Sequence, residues 1–329
     1  MEATTTTVGP AGTGWHPQAL VRRLRNGDAI AHTVTLIFAA SILLITVLLV
    51  SQLWIHSAPS RAKFGWNFLH TSTWDPVFDN YGALPFLYGT VVTTLVSLVI
   101  AVPLGLGAAI FLAELAPPKL SAGLSYVIDL LAAVPSVIYG LLAIFTLVPF
   151  MSKTVEPFLK KTLGDLPFFK GPTYGVGFLT AGLVLSVMIV PFIVSVSREV
   201  LLSVPADQRE AALSLGATRW ETTWKVVVPY ARSGIMGSVF LSMARALGET
   251  MAVTMVIGNT PQISASLFSP GYTIAAVIAN EFTEATGDMY LSALIELGLV
   301  LFLLTFILNG VAQLMIMLSE RRGGGGQRG

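Results

Sequence analysis

No cysteine occurs among the 329 residues, which excludes disulfides, thiolate metal sites and a cysteine nucleophile. Histidine is scarce too. His16, His32, His56 and His70 are scattered over the first quarter of the chain without HExxH or similar spacing, so no histidine metal site is expected. Charge is thin: Asp, Glu, Lys and Arg make up 11% of the residues, against about 25% in an ordinary soluble domain. There is no GxxxxGK[ST] stretch and no Gly-Lys dipeptide. The chain therefore shows no phosphate-cradling loop of its own, and no enzymatic chemistry or bound cofactor is expected in it.

What it has is apolar residues, 54% of the chain, with a mean hydropathy of +0.75. A bilayer is crossed by about 20 apolar residues in a helix. Six stretches qualify, at 29–55, 86–114, 123–150, 173–197, 232–257 and 291–318. They predict an all-α integral membrane protein with six transmembrane helices, and none shows the alternation of a membrane barrel. The first stretch follows RRLR and precedes SAPS. Its apolar run exceeds the roughly 7–15 residues of a signal core, so it reads as a retained anchor. Residues 1–28, rich in Thr, Gly and Pro, are expected to be a disordered tail. Residues 29–319 are expected to form one six-span domain, and 320–329, ending GGGGQRG, a flexible tail.

Lys and Arg set the orientation. With the N-terminus inside, twelve fall on the inner side: Arg22, Arg23, Arg25, Lys119, Arg198, Arg209, Arg219, Lys225, Arg232, Arg321, Arg322 and Arg328. Six fall outside, at Arg61, Lys63, Lys153, Lys160, Lys161 and Lys170. Both termini are thus expected in the cytoplasm. EPFLKKTLGDLPFFK, which holds three of the outer lysines, reads best as an interfacial amphipathic segment, with an anion or partner contact as alternatives. TIAAVIANEF is expected to be a short helix lying on the outer face. Pro103, Pro135 and Pro191 interrupt apolar segments. Gly105 and Gly107 are read as close helix packing.

The inner loop at 198–231 is long, and it carries its own order. Pro205 and Asp207 suit the first turn of a helix, Gly216 can end it in a left-handed conformation, and Thr218-Arg219-Trp220-Glu221 is a capping box for a second short helix. Pro229 is expected to end that helix. The result is two helices bent at Gly216. A DNA-binding helix-turn-helix would need a clearly basic face. Here Asp207, Glu210 and Glu221 balance Arg209, Arg219 and Lys225, so no nucleic-acid partner is expected. A structural cap under the bundle stays open.

GSVFLSMARALGETMAVTMVIG, 237–258, places Arg245 near the middle of the predicted fifth span with Glu249 four residues on. A charge there costs about 2.5–3.5 kcal/mol on insertion scales. The pair could be structural, although Glu before Arg would be the better order. It could tie this span to another helix. It could also line a substrate path, where an arginine fork matches phosphate or carboxylate oxygens. The path is the preferred reading. Asp129 is read as bonding to a neighbouring helix or to the inner loop.

Glu210-Ala211-Ala212, then Gly216, then Val226-Val227-Val228-Pro229 resembles the EAA loop of bacterial ABC importer permeases, with valine at both aliphatic positions. VPSVIYGL, SREVL, REAALSLGATRWE, ARALGETMAV and IANEFTEA are similar to the PstC-type permease of the phosphate-specific ABC importer, over about residues 30–320. The resemblance implies a bacterial cell-membrane permease subunit of an ATP-driven inorganic phosphate importer. It implies that Glu210, Ala211, Ala212, Gly216 and Pro229 belong to the loop that couples to the ATPase, and that Arg245 and Glu249 act in phosphate movement. The implied partners are a PstA-type permease, two PstB-type ATPases that carry ATP and Mg, and a PstS-type phosphate-binding protein. A permease for molybdate or sulfate and a non-transporting signalling or scaffold protein are the alternatives.

Overall fold

The computed structural model describes the backbone of residues 28–323 and the side chains of residues 30–317. The tail predicted before residue 28 and the end of the tail predicted at 320–329 lie outside these. The described residues divide into two units between Gln52 and Leu53.

Helix α1, Asp28–His56, begins in the first unit and ends in the second. In the second unit follow α2 (Ala58–Phe64), α3 (Asn67–His70) and a two-stranded hairpin, β1 (Trp74–Asp75) and β2 (Asn80–Tyr81), which pair antiparallel. The long helices are α4 (Leu84–Leu115), α6 (Ser136–Leu163), α7 (Phe178–Leu202), α9 (Arg219–Leu247) and α12 (Asp288–Gly323). Shorter ones lie between them: α5 (Pro118–Ala132), α8 (Ala206–Ser214), α10 (Met251–Thr254) and α11 (Ile274–Glu281). Among the described residues six helices are long and apolar enough to cross a membrane.

Two spans are displaced from their predicted places. The third was expected at 123–150, but α5 and α6 divide that stretch. The preceding helix ends at Ala132 and Pro135 itself is extended, with φ −57 and ψ 138, so the chain breaks at Val134-Pro135 and the span runs from Ser136. The last turns of α6 take up Glu156–Leu163, so the segment expected to lie along the interface is half span. The fifth span was expected at 232–257. It starts earlier, at the Thr218 cap, and stops at Leu247.

Pro229 does not end a helix, because α9 runs through it. The turn before it, Thr223–Val227, is widened, with Val228 N–H donating to the Thr223 carbonyl five residues back. The same widening precedes Pro117, Pro149 and Pro157, at Phe111–Leu115, Ala143–Leu147 and Met151–Val155. A proline lacks an N–H and its ring clashes with the carbonyl four residues back. A π turn moves that carbonyl aside and keeps the preceding amide bonded. Unpaired amides are not tolerated in hydrocarbon, and this is how these four prolines are accommodated; Pro103 and Pro191 stand inside α4 and α7 without such a turn.

The bundle core forms where α7 packs along α4. Leu185, Met188, Ile189 and Ile193 of α7 are buried with Ala101 of α4, Ala143 of α6 and Ala246 of α9. Gly105 makes the close approach possible, since a Cβ there would lie 2.7 Å from Ile193 Cγ2. Gly107, expected to do the same, faces open space. Helix α11 is only partly at the surface. Its first turn is sunk, with Ile274, Ala275, Ala276 and Val277 all buried, while Ala279 is exposed and Asn280 and Glu281 are half-buried. Beside it Trp74 Nε1 and Tyr290 OH both donate to Glu281 Oε2, at 2.8 and 2.7 Å. Burial pushes the nearby Tyr272 and Tyr81 phenols above their ordinary range, so both stay protonated.

Gly105→Ala should destabilise the purified chain by about 1–3 kcal/mol through overpacking. Gly107→Ala should be neutral or stabilising by about 0.5–1 kcal/mol, because alanine is the better helix former. Thermal unfolding in detergent separates the two.

Candidate functional site

The inner loop is built as two helix ends joined by complementary caps. Gly216 N–H donates to Leu213 O (3.0 Å) and Ala217 N–H to Ala212 O (3.2 Å), which closes α8 in a Schellman motif. Gly216 has φ +87, and nothing crowds its Cβ position, so conformation rather than space requires glycine. Two residues later the predicted capping box is present. Glu221 N–H donates to Thr218 Oγ1 (3.2 Å), and Thr218 N–H donates to Glu221 Oε2 (3.0 Å). Lys225 adds an ion pair to Glu221 at 3.1 Å.

The exposed face of this bend holds Glu210, Ala211, Leu213, Leu215, Trp220 and Trp224. Leu215 is 88% exposed, and the two indoles meet edge to face at 5.5 Å. Ala212 is half-buried and Pro229 exposed. Charge, aromatic rings and small residues on a rigid bend make a surface suited to a protein partner.

The inner face is held by a residue that sequence reading passed over. Arg209 Nη2 lies 2.8 Å from Glu114 Oε1, and its Nε donates to both carboxylate oxygens at 3.3 Å. The same guanidinium donates to Leu201 O at 2.8 Å and to Val204 O. The signal available in the sequence was Glu114 at the inner end of a span, which has charge and no neighbour to pair with.

Arg245 and Glu249 do not share a helix face. Arg245 sits in the last turn of α9, which Gly248 ends, and Glu249 follows the break. No hydrogen bond or ion pair joins them among the described residues. Glu249 Oε1 instead accepts from Ala252 N–H at 3.2 Å. The guanidinium lies over the Phe192 ring of α7, 5.8 Å from its centroid, and is exposed. The expected mid-span pair is thus corrected to two charges on either side of a helix break. Each stands at a helix end of opposite sign, where partial backbone charges favour it.

Asp129 accepts from Ser195 Oγ of α7 at 3.0 Å, as a link between helices. Two further carboxyls lie inside spans and were not singled out from sequence: Glu156 of α6 and Glu296 of α12, both buried. Glu156 Oε2 accepts from Gly175 N–H at 3.0 Å. No group of three or more metal-ligating side chains is found among the described residues.

A multi-span helical bundle with a rigid, partner-ready bend between two of its spans is the architecture of an importer permease. Residues 101–316 match the family described as binding-protein-dependent transport system inner membrane component, and the chain belongs to that family. It is 47% identical to the phosphate transport system permease protein PstC of Mesorhizobium japonicum, over 93% of this chain and 95% of the relative. The Pasteurella multocida protein of the same name is 44% identical over 93% and 98%. A probable phosphate transport system permease protein PstC of Methanocaldococcus jannaschii is 36% identical over 84% and 89%. Among solved structures, a chain of the inward-facing MetNI methionine ABC transporter superposes with a TM-score of 0.53 at 17% identity, over 75% of this chain and 99% of that one. That likeness concerns the fold. The protein is therefore a multi-pass ABC importer permease, which works with other components of such a transporter.

Gly216→Val should strain the bend by about 1–2 kcal/mol, the cost of a left-handed residue with a Cβ. Gly216→Asn should be close to wild type. Limited trypsin digestion at Arg219 should therefore be faster in the valine variant alone.

Proposed function

We propose that this chain is the PstC-type permease subunit of an ATP-driven importer of inorganic phosphate in a bacterial cell membrane, both termini cytoplasmic, with residues 29–319 as its permease domain. Substrate arrives from a PstS-type binding protein at the end of the bundle opposite α8. It crosses beside Arg245 in a path shared with a PstA-type permease. Two PstB-type ATPases hold ATP and Mg, hydrolyse the ATP and press on the bend formed by Glu210, Ala211, Ala212 and Gly216, with Pro229 in the limb that leads back to the bundle. This chain performs no covalent chemistry.

The observation that carries the reading is the position of Arg245. The guanidinium is exposed at a break in an otherwise apolar run, and no carboxylate pairs with it among the described residues. Irregular backbone at membrane depth is tolerated where it is covered by protein or lines a cavity, and broken helices mark transporter substrate sites. A guanidinium in such a place presents a fork to oxyanions. Glu249, a few residues beyond the break, opposes retention of an anion by like charge, so the oxyanion is held and then released. The naming of the relatives supports phosphate over other oxyanions.

Labelled-phosphate uptake by cells lacking their own high-affinity system, expressing this chain with its three partner proteins, tests the reading. Arg245→Gln should assemble with the ATPase and lose uptake by about tenfold or more, the effect of losing one charged contact in a path. Equal uptake by both would return Arg245 to a structural role. Uptake blocked by molybdate or sulfate as effectively as by unlabelled phosphate would assign another oxyanion.

A further inference from the structure

We propose that the Glu114–Arg209 pair is the strut that passes movement of α8 to the core helices α4 and α7, so that Glu114 and Arg209 are positioning residues of the transport cycle. The inference rests on the coupling role given above to the bend. Arg209 precedes Glu210 on α8, and the turn of the helix sends the two side chains in different directions. Glu210 is exposed, while Arg209 points to the bundle and is 22% exposed as a side chain.

One guanidinium there joins three elements. Nε and Nη2 hold the Glu114 carboxylate at the end of α4, 95 residues away in sequence. Nη1 donates to the Val204 carbonyl, just past the end of α7, and Nη2 to the Leu201 carbonyl in its last turn, which also accepts from Val204 N–H at 3.3 Å. Glu114 has a side chain only 10% exposed and lies in the π turn Phe111–Leu115. That turn ends at Ala116, directly before Pro117-Pro118. Ala109, Ile110, Leu112, Val194, Leu201, Val204, Val227, Ala231 and Ile235 form the apolar cluster at this end, so the charges are poorly screened.

The arrangement explains how one push reaches two places. A load on the bend enters α9 along the chain through Gly216 and the capping box. Covalent connection does the same for α7 only through Ser203–Pro205, a stretch without helix. Nothing covalent leads from α8 to α4, which is on the far side of α5 and α6 in sequence. The forked, bidentate contact is stiff where a single hydrogen bond would swivel. The ion pairs Arg198–Glu199 and Lys225–Glu221, by contrast, join residues on one helix.

The test uses the complete complex in proteoliposomes with the binding protein, measuring phosphate flux and ATP hydrolysis together. Glu114→Gln and Arg209→Gln should still bind the ATPase and hydrolyse ATP, while phosphate moved per ATP falls by about tenfold, the size of a coupling energy carried by one contact. The double variant should be no worse than either single one, because both remove the same interaction. Arg209→Lys, which keeps the charge without the fork, should fold and fall between. An unchanged flux-to-hydrolysis ratio in intact complexes, for the single variants or for Arg209→Lys, overturns the strut. So does a double variant whose loss is the product of the two single losses. A wild-type complex that moves no phosphate overturns the functional reading beneath it instead.

Discussion

A backbone amide in hydrocarbon has no water to bond when its helical partner is lost, and this constraint shapes every long helix here. Four prolines stand two residues beyond a π turn. In each case the widened turn keeps the preceding amide paired while the ring finds room. Pro103 and Pro191 stand inside regular α-helix without such a turn, whereas at Pro135 a new helix starts after the break.

The bend at Gly216 depends on the same constraint. Because α9 continues through Pro229 to the cap at Thr218, the second limb of the loop is the beginning of a membrane helix. Any force on the bend then acts on the bundle directly. The first limb, α8, is separated from α7 by a short non-helical stretch, and its firmness comes from Arg209. An ion pair half-withdrawn from water is costly to break, because the remaining partner stays buried without compensation, at about 3–5 kcal/mol. The bend is thus rigid on both limbs for different reasons, one a continuous backbone and one a charge contact.

Much of this was legible in the residues. The six apolar runs, the capping box at Thr218 and Glu221, the left-handed glycine at 216 and the link from Asp129 to another helix all come from local patterns or from single polar groups in apolar surroundings. Other readings failed where the outcome was not local. Pro229 looked like a terminator, because proline ends helices unless the turn before it widens. Arg245 and Glu249 looked like neighbours on one helix, because an apolar run does not disclose that Gly248 breaks it. Of the buried carboxyls, Glu296 stood in an apolar run and Glu156 in the segment read as interfacial, and neither was singled out.

Sequence by itself determined the class of molecule: composition requires a bilayer, the spacing of apolar runs requires helices, and the EAA-like residues require a bend of defined chemistry. These are properties of segments no longer than a helix, for which propensity, capping and hydropathy suffice. Tertiary structure decided which charges meet. Arg209 finds Glu114 across 95 residues, and Arg245 faces Phe192 rather than Glu249, because those pairings depend on how α4, α7, α8 and α9 are set against one another. No local preference encodes that arrangement. It results from packing Gly105 against Ile193 and the apolar faces of four helices together.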